Sequence, residues 1–314
     1  MTTGLNRRSA VALPFLLLLL TLFIPSTGAF AKKESATTRL EIPVGNFHSI
    51  KAATGIEVIF KQGPASGKAL VQTTPTGARY LKVQVNGKGE LSLFYEGTKG
   101  NVTIGQTIVT LTAPSLTGID LSSAASLTVN GPLSEQRKVD IELSSASSVV
   151  METLNTPELD ADLSSSASLR VKTLNGDLEI EASSASSVSI ERVSCGKSDI
   201  DASSAATVNI GQLVGNHCEA EASSGSKVTI NGLECLYVKG GASSGGNVTL
   251  KGKCGSIATE SSSGGRVDIS GLSENKQLAQ KAISGLSAKS TKSSKSTKSS
   301  KSERKSKSPN FRIP

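Results

Sequence analysis

Eleven carboxylates in the middle of the chain fall into two repeating positions, and such columns of like charge are the first chemistry the sequence offers. Asp120, Glu142, Asp162, Glu181, Asp201 and Glu221 each stand two places before a serine pair, a position taken by Gly241 and Glu260 in the next two copies. Asp140, Asp160, Glu179, Asp199 and Glu219 stand four places before it. Stacked at strand spacing, like carboxylates would repel by roughly 0.8 kcal/mol per neighbouring pair even at the dielectric of water. Three things could relieve that. Ca²⁺, which accepts oxygen ligands from loosely ordered sites, could bridge the rungs as a weak cation ladder. The lysine-rich end of the chain could fold back along the stripe, or water and salt could screen it alone.

Other chemistry is sparse. His48 and His217 are the only histidines and form no triad or metal spacing. Gly241-Ala242-Ser243-Ser244-Gly245 matches the nucleophile-elbow pattern but has no helix pattern after it. Of the four cysteines, Cys218 falls in an apolar column, and Cys195 lies two coils from the equivalent Cys235, too far to pair. Cys235 and Cys254 fall at near-equal offsets in consecutive coils, where a disulfide could form. From residue 288 on, Lys289, Lys292, Lys295, Lys298, Lys301, Arg304, Lys305, Lys307 and Arg312 stand against one Glu303. That segment therefore carries +8, and once Arg7 and Arg8 are also set aside the body carries −2. A basic strip of this kind attracts anionic partners in a salt-dependent way, whether a surface, a glycan or a matrix.

The elements that must position the acids are legible. The serine pairs begin at Ser122, Ser144, Ser164, Ser183, Ser203, Ser223, Ser243 and Ser262, in steps of 22, 20, 19, 20, 20, 20 and 19 residues. A 20-residue unit cannot close a core alone and must bury its apolar residues against its neighbours. Positions five, three and one before the pairs are mostly apolar or small, as in Leu178, Ile180 and Ala182, and positions five and seven after them are apolar, as in Val188 and Ile190. That is strand, Ser/Gly corner, strand, looser corner, with Asn175-Gly176 and Asn231-Gly232 supplying turn chemistry. The acids alternate with the inward positions and so point outward. The predicted fold is all-β, a right-handed parallel β-helix (β-solenoid) of about 20 residues per coil. Stacked hydroxyls are expected to form hydrogen-bonded ladders at the serine corner, with Gly replacing Ala there in later coils.

Residues 1–31 read as a signal peptide, with Arg7-Arg8, an apolar run over 11–24 and Ala29-Phe30-Ala31 as cleavage site, so the chain is expected to be secreted or held at the cell envelope. Residues 41–118 are β-patterned, hold Phe47, Phe60, Tyr80, Phe94 and Tyr95, and are expected to begin and cap the solenoid, with serine-rich coils over 119–271. Residues 272–286 read as a short capping helix with Ser273 as N-cap, and 287–314 as a disordered Lys/Ser tail.

IPVGNFHSIKAATGIEVIFKQG, then YLKVQVNGKGELSL, TIVTLTAPSLTGIDL and the serine-rich coils together resemble the putative auto-transporter adhesin, head GIN domain family, over residues 41–271. The resemblance implies an exported β-solenoid with an adhesin or surface-binding role and no established catalytic residues. The reading is a non-enzymatic binding module with a cationic tail. The alternatives are a carbohydrate-active β-helix enzyme of the polysaccharide lyase or hydrolase type, which would use the acid columns, and a structural spacer without a ligand.

Overall fold

The computed structural model describes residues 37–65, 67–97 and 103–280. The expected signal peptide over 1–31, the expected tail over 287–314 and the part of the expected capping helix beyond residue 280 lie outside them.

Strict alternation of side chains decides the architecture. Inward positions repeat from coil to coil, so like stacks on like in parallel register. Val139 pairs with Leu159, Ile141 with Ala161 and Leu143 with Leu163; Ile180 then lies between Ala161 and Ile200. After the serine corner, Leu127, Val149, Leu169, Val188, Val208, Val228 and Val248 form one continuous buried column, each at most 1 % exposed. Leu154, Leu174, Val193, Leu213 and Leu233 form another. The result is a parallel β-solenoid of about eight turns spaced by roughly 20 residues.

Variation in step length is absorbed away from the serine corner. Between the second and third coils the register shifts over Asn155/Glu158, and between the sixth and seventh over Ile230/Leu233. Both shifts fall in the looser corner, so the acid columns stay in register while the coils differ in length. Gly176 closes the shortened turn with φ +148°, and a Cβ there would stand 1.9 Å from the carbonyl oxygen of Thr156 in the coil beneath.

The segment before the first serine pair contains coils of its own. Strand Ser49–Ala52, a corner at Thr54 (φ 60°) and Gly55 (φ 66°), and strand Ile56–Gln62 repeat the serine-coil geometry without serines. Strands Glu90–Tyr95 and Thr107–Ala113 stack on one side of that coil, and Gly118–Leu121 and Ser126–Ser134 on the other. Three antiparallel strands then close the end: Leu81–Val85 on Glu90–Tyr95, Lys68–Thr73 on Thr107–Ala113, and Thr38–Pro43 on Lys68–Thr73. The 81–95 hairpin turns at Asn86, whose Oδ1 accepts from the Lys88 and Glu90 amides. Phe47 and Phe60 are buried in this end.

At the other end the expected N-cap is displaced. Ser273 belongs to strand Arg266–Glu274 and its Oγ donates to the Gly252 carbonyl, because the last coil still needs that strand paired. Asn275 caps instead, its Oδ1 accepting from the amides of Gln277 (2.9 Å) and Leu278 (3.2 Å) as residues 276–280 turn helical. A Cβ on Gly255 would meet Leu278 backbone at 2.8 Å, so the helix lies directly on the last coil.

Candidate functional site: a carboxylate-walled groove

The serine corner is built from two successive left-handed residues. Ser123/Ala124, Ser145/Ala146, Ser165/Ser166, Ser184/Ala185 and Ser204/Ala205 all have φ between 49° and 64°, and the later coils place Gly225, Gly245 and Gly264 at the second of these positions with φ of 73° to 77°. Left-handed backbone costs an L-residue roughly 1 kcal/mol that glycine avoids. Open space surrounds the Gly225 Cβ position, so Gly225→Ala isolates the backbone effect. It is expected to destabilise by about 1 kcal/mol, and Ala185→Gly to be neutral or stabilising, both read by urea unfolding.

What bonds the corners together differs from the expected hydroxyl ladder. Backbone groups make it: the second corner residue donates to the carbonyl of the next coil, as Ala124 to Ser145 and Ala185 to Ser204. The fourth residue's amide closes each turn onto the first serine, as Ala125 to Ser122. The hydroxyls that contribute sit one place beyond the left-handed pair, where Ser147, Ser186 and Ser226 are buried and donate to carbonyls of Leu121, Leu163 and Ala202. The second serine of each pair faces outward, while the first is half-buried from Ser122 to Ser243, and Ser183 among them adds a long bond from its Oγ to the Leu163 carbonyl at 3.4 Å.

This corner and the strand before it enclose a groove of about 920 Å³. Its floor is the buried Leu143–Leu163–Ala182–Ala202–Ala222–Ala242 column, one wall is the first serines, and the other is the carboxylate column. The expected column is observed rung by rung: Asp120 pairs with Glu142, Glu142 with Asp162, Asp162 with Glu181, Glu181 with Asp201, Asp201 with Glu221, Glu221 with Gly241 and Gly241 with Glu260. The second column follows the same register through Asp140, Asp160, Glu179, Asp199 and Glu219.

The two columns are compensated unequally, and this was not anticipated. Lys239 stands above Glu219 as the next member of the second column, bonds Glu219, and reaches Glu221 at 2.9 Å. Lys138 bonds Asp160 and lies 3.3 Å from Asp140; Lys197 lies 3.0 Å from Asp199. Lys51, on the rung below Asp120, bonds that first acid. Hydrogen bonding to their acids raises the pKa of all four lysines, and hydrogen bonding from Lys239 lowers that of Glu219. Lys239 stands four places before Ser243, and Lys138 and Lys197 six before their serines, so spacing alone could have found them. Lys51 could have been found only by seeing that Ala52-Ala53-Thr54-Gly55 is a serineless corner.

Among the described residues, Glu142, Asp162, Glu181 and Asp201 have no ion-pair partner. Partial burial, then neighbouring carboxylates, push the Asp162 and Asp201 carboxyls above the usual range. The folded state therefore binds more protons there than the unfolded chain, and stability falls as pH rises from the ordinary aspartate value through the raised one. Asp162→Asn with Asp201→Asn is expected to raise Tm by about 2–4 °C at pH 7, with the gain vanishing near pH 3.5.

No three metal-ligating side chains converge into a metal site among the described residues. Cys235 and Cys254 are register partners, as the spacing required, yet both are free thiols. The Cys235 Sγ–H is instead directed at the Tyr237 carbonyl at 3.2 Å. Burial pushes the thiols of Cys195 and Cys218 to about 12 and that of Cys235 to about 11, so they stay protonated.

The model of the family described as "Putative auto-transporter adhesin, head GIN domain" matches residues 46–233. No curated protein matches the sequence. Among solved structures, the chain is similar to a putative adhesin from Parabacteroides merdae (TM-score 0.67, 16 % identity, 77 % of this chain and 97 % of that one). It is also similar to a putative adhesin from Parabacteroides distasonis (TM-score 0.63, 20 % identity, 77 % and 97 %). A putative lipid binding protein from the latter organism shares the fold as well (TM-score 0.63, 13 % identity, 77 % and 98 %). At these identities the likeness is one of fold.

Proposed function

The chain belongs to the Putative auto-transporter adhesin, head GIN domain family, and on that premise we propose that it is an exported, non-enzymatic binding module whose Lys/Ser-rich segment over 287–314 attaches it to anionic surfaces. The observation that supports this reading is the segregation of charge. The solenoid body lines its groove with acids and pairs its own lysines with them, while eight of the chain's net positive charges are concentrated past residue 287. An acidic body is repelled by acidic polysaccharide or lipid headgroups, so attraction to them falls to the tail. One fold neighbour is described as lipid binding, which suits the same chemistry. Among the described residues no helix is long and apolar enough to cross a membrane.

The test is co-sedimentation with vesicles containing one-third anionic lipid, and retention on a sulfated polysaccharide column, for the full chain and for one ending at residue 286. Removing the tail is expected to weaken binding at least tenfold at about 50 mM salt, and raising salt to 500 mM to do the same to the full chain. Full binding by the shortened chain would sink the reading. The acid columns are proposed to take Ca²⁺ only as weak bridges between rungs; the pH melts above, repeated with millimolar calcium and with chelator, decide this, and identical curves remove it.

A further inference from the structure

The amino-terminal end of the solenoid finishes on an unpaired strand edge. Strand Thr38–Pro43 pairs with Lys68–Thr73 on one side, and no strand among the described residues pairs with its other side. Which groups line that free side follows from the alternation of antiparallel hydrogen bonds. Val44 gives its amide to the Gly67 carbonyl at 3.1 Å, so the pairs two and four residues back, Ile42 with Ala69 and Leu40 with Val71, are the bonded ones. The amides and carbonyls of Arg39 and Glu41 therefore point to the free edge. Pro43 has no amide to offer there and ends the stretch that another strand can extend.

The side chains make this edge complementary to itself. Arg39 and Glu41 are exposed on one face, while Leu40 and Ile42 are half-buried on the other and pack against the core. When two copies are set antiparallel about a two-fold axis through Leu40, Arg39 of each falls opposite Glu41 of the other. Both pairs exchange backbone bonds and both match opposite charges, while Leu40 meets Leu40 at the closer, non-bonded spacing on the apolar side. The neighbouring two-fold registers fail. Centred on Glu41, Glu41 meets Glu41 and Arg39 meets Pro43, which lacks the amide; centred on Arg39, Arg39 meets Arg39. Within its own chain Glu41 is met by Lys68 at 2.7 Å, but Arg39 has no ion-pair partner among the described residues.

We propose that strand Thr38–Pro43 pairs with the same strand of a second copy in the register centred on Leu40, joining two solenoids at their amino-terminal ends. The contact is isologous and so closes at two copies. One short edge buries less than a standard interface, so the association is weak and depends on concentration. This goes beyond the surface-attachment reading and does not rest on it. It sets the carboxy-terminal coils at the far ends of one particle, where two weak surface contacts made together hold better than either alone.

The experiment is sedimentation equilibrium over about 5–500 µM, using the chain from residue 32 on, as the expected signal peptide leaves it, beside Arg39→Glu and Glu41→Arg. The natural chain is expected to pass from monomer to dimer mass across that range. Each variant alone sets like charges opposite one another at both pairs and is expected to weaken dimerisation about tenfold or more. An equimolar mixture of the two variants restores opposite charges in the mixed dimer and is expected to associate like the natural chain. Charges and a proline also keep many edges single, and a natural chain that stays monomeric throughout overturns the proposal. So do variants that dimerise undiminished, or a mixture no better than its components. Amide exchange of the natural chain needs no variant: Arg39 and Glu41 are expected to exchange about fivefold or more slowly at the high concentration than at the low, and equal rates overturn pairing at this edge. Neither measurement contains a surface ligand, so both stand or fall separately from vesicle binding.

Discussion

Ile180→Glu is expected to abolish cooperative unfolding of the solenoid, while Glu181→Gln, one residue on, is neutral or stabilising. Ile180 is 1 % exposed and sandwiched between Ala161 and Ile200 on adjacent rungs. A carboxylate there has no hydrogen-bonding partner, and burying an unpaired charge costs several kcal/mol, comparable to the whole stability of many domains. Glu181 points the other way, into the groove, between Asp162 and Asp201 on adjacent rungs. Removing its charge removes two repulsive neighbours and exposes no apolar surface. Circular dichroism during urea titration checks both. A folded Ile180→Glu protein with an unchanged midpoint would mean that the alternation does not set which face is core.

Gly176→Ala is expected to destabilise by about 3 kcal/mol or more, far beyond the effect at the serine corner. Two independent terms add. The backbone at φ +148° is one an L-residue rarely adopts, and the new Cβ would stand 1.9 Å from the Thr156 carbonyl oxygen. Retreat is blocked because Thr156 is buried and its Oγ1 is held to the carbonyls of Arg137 and Glu158 at 2.9 Å each. The denaturant midpoint measures the loss. A midpoint near that of the natural chain would show that the looser corner can shift without disturbing the coil beneath.

The contrast between these sites explains what could be read before the coordinates. Leu178, Ile180 and Ala182 announce a face because their spacing repeats eight times, and the outward acids follow from the same alternation. Stacking contacts such as Asp162 on Glu181 are therefore consequences of period alone. Features that occur once carry no period. Lys51 lies in a coil without serines, and Thr156 and Gly176 fit together only because one coil is a residue shorter than its neighbour. The corner hydroxyls misled for another reason: residue type shows that a serine can bond, whereas only backbone geometry shows that the partners are already taken. Ser273 failed as a cap on the same ground, its strand being claimed by the Gly252 carbonyl.

The placement of strands Ser49–Ala52 and Ile56–Gln62 between 90–113 and 118–134 bears on how the chain assembles. A ribosome delivers these strands early, yet both surfaces they must bury are made of residues delivered later. The amino-terminal portion therefore has no template until about residue 134 has emerged, and each later turn can then add to a finished one.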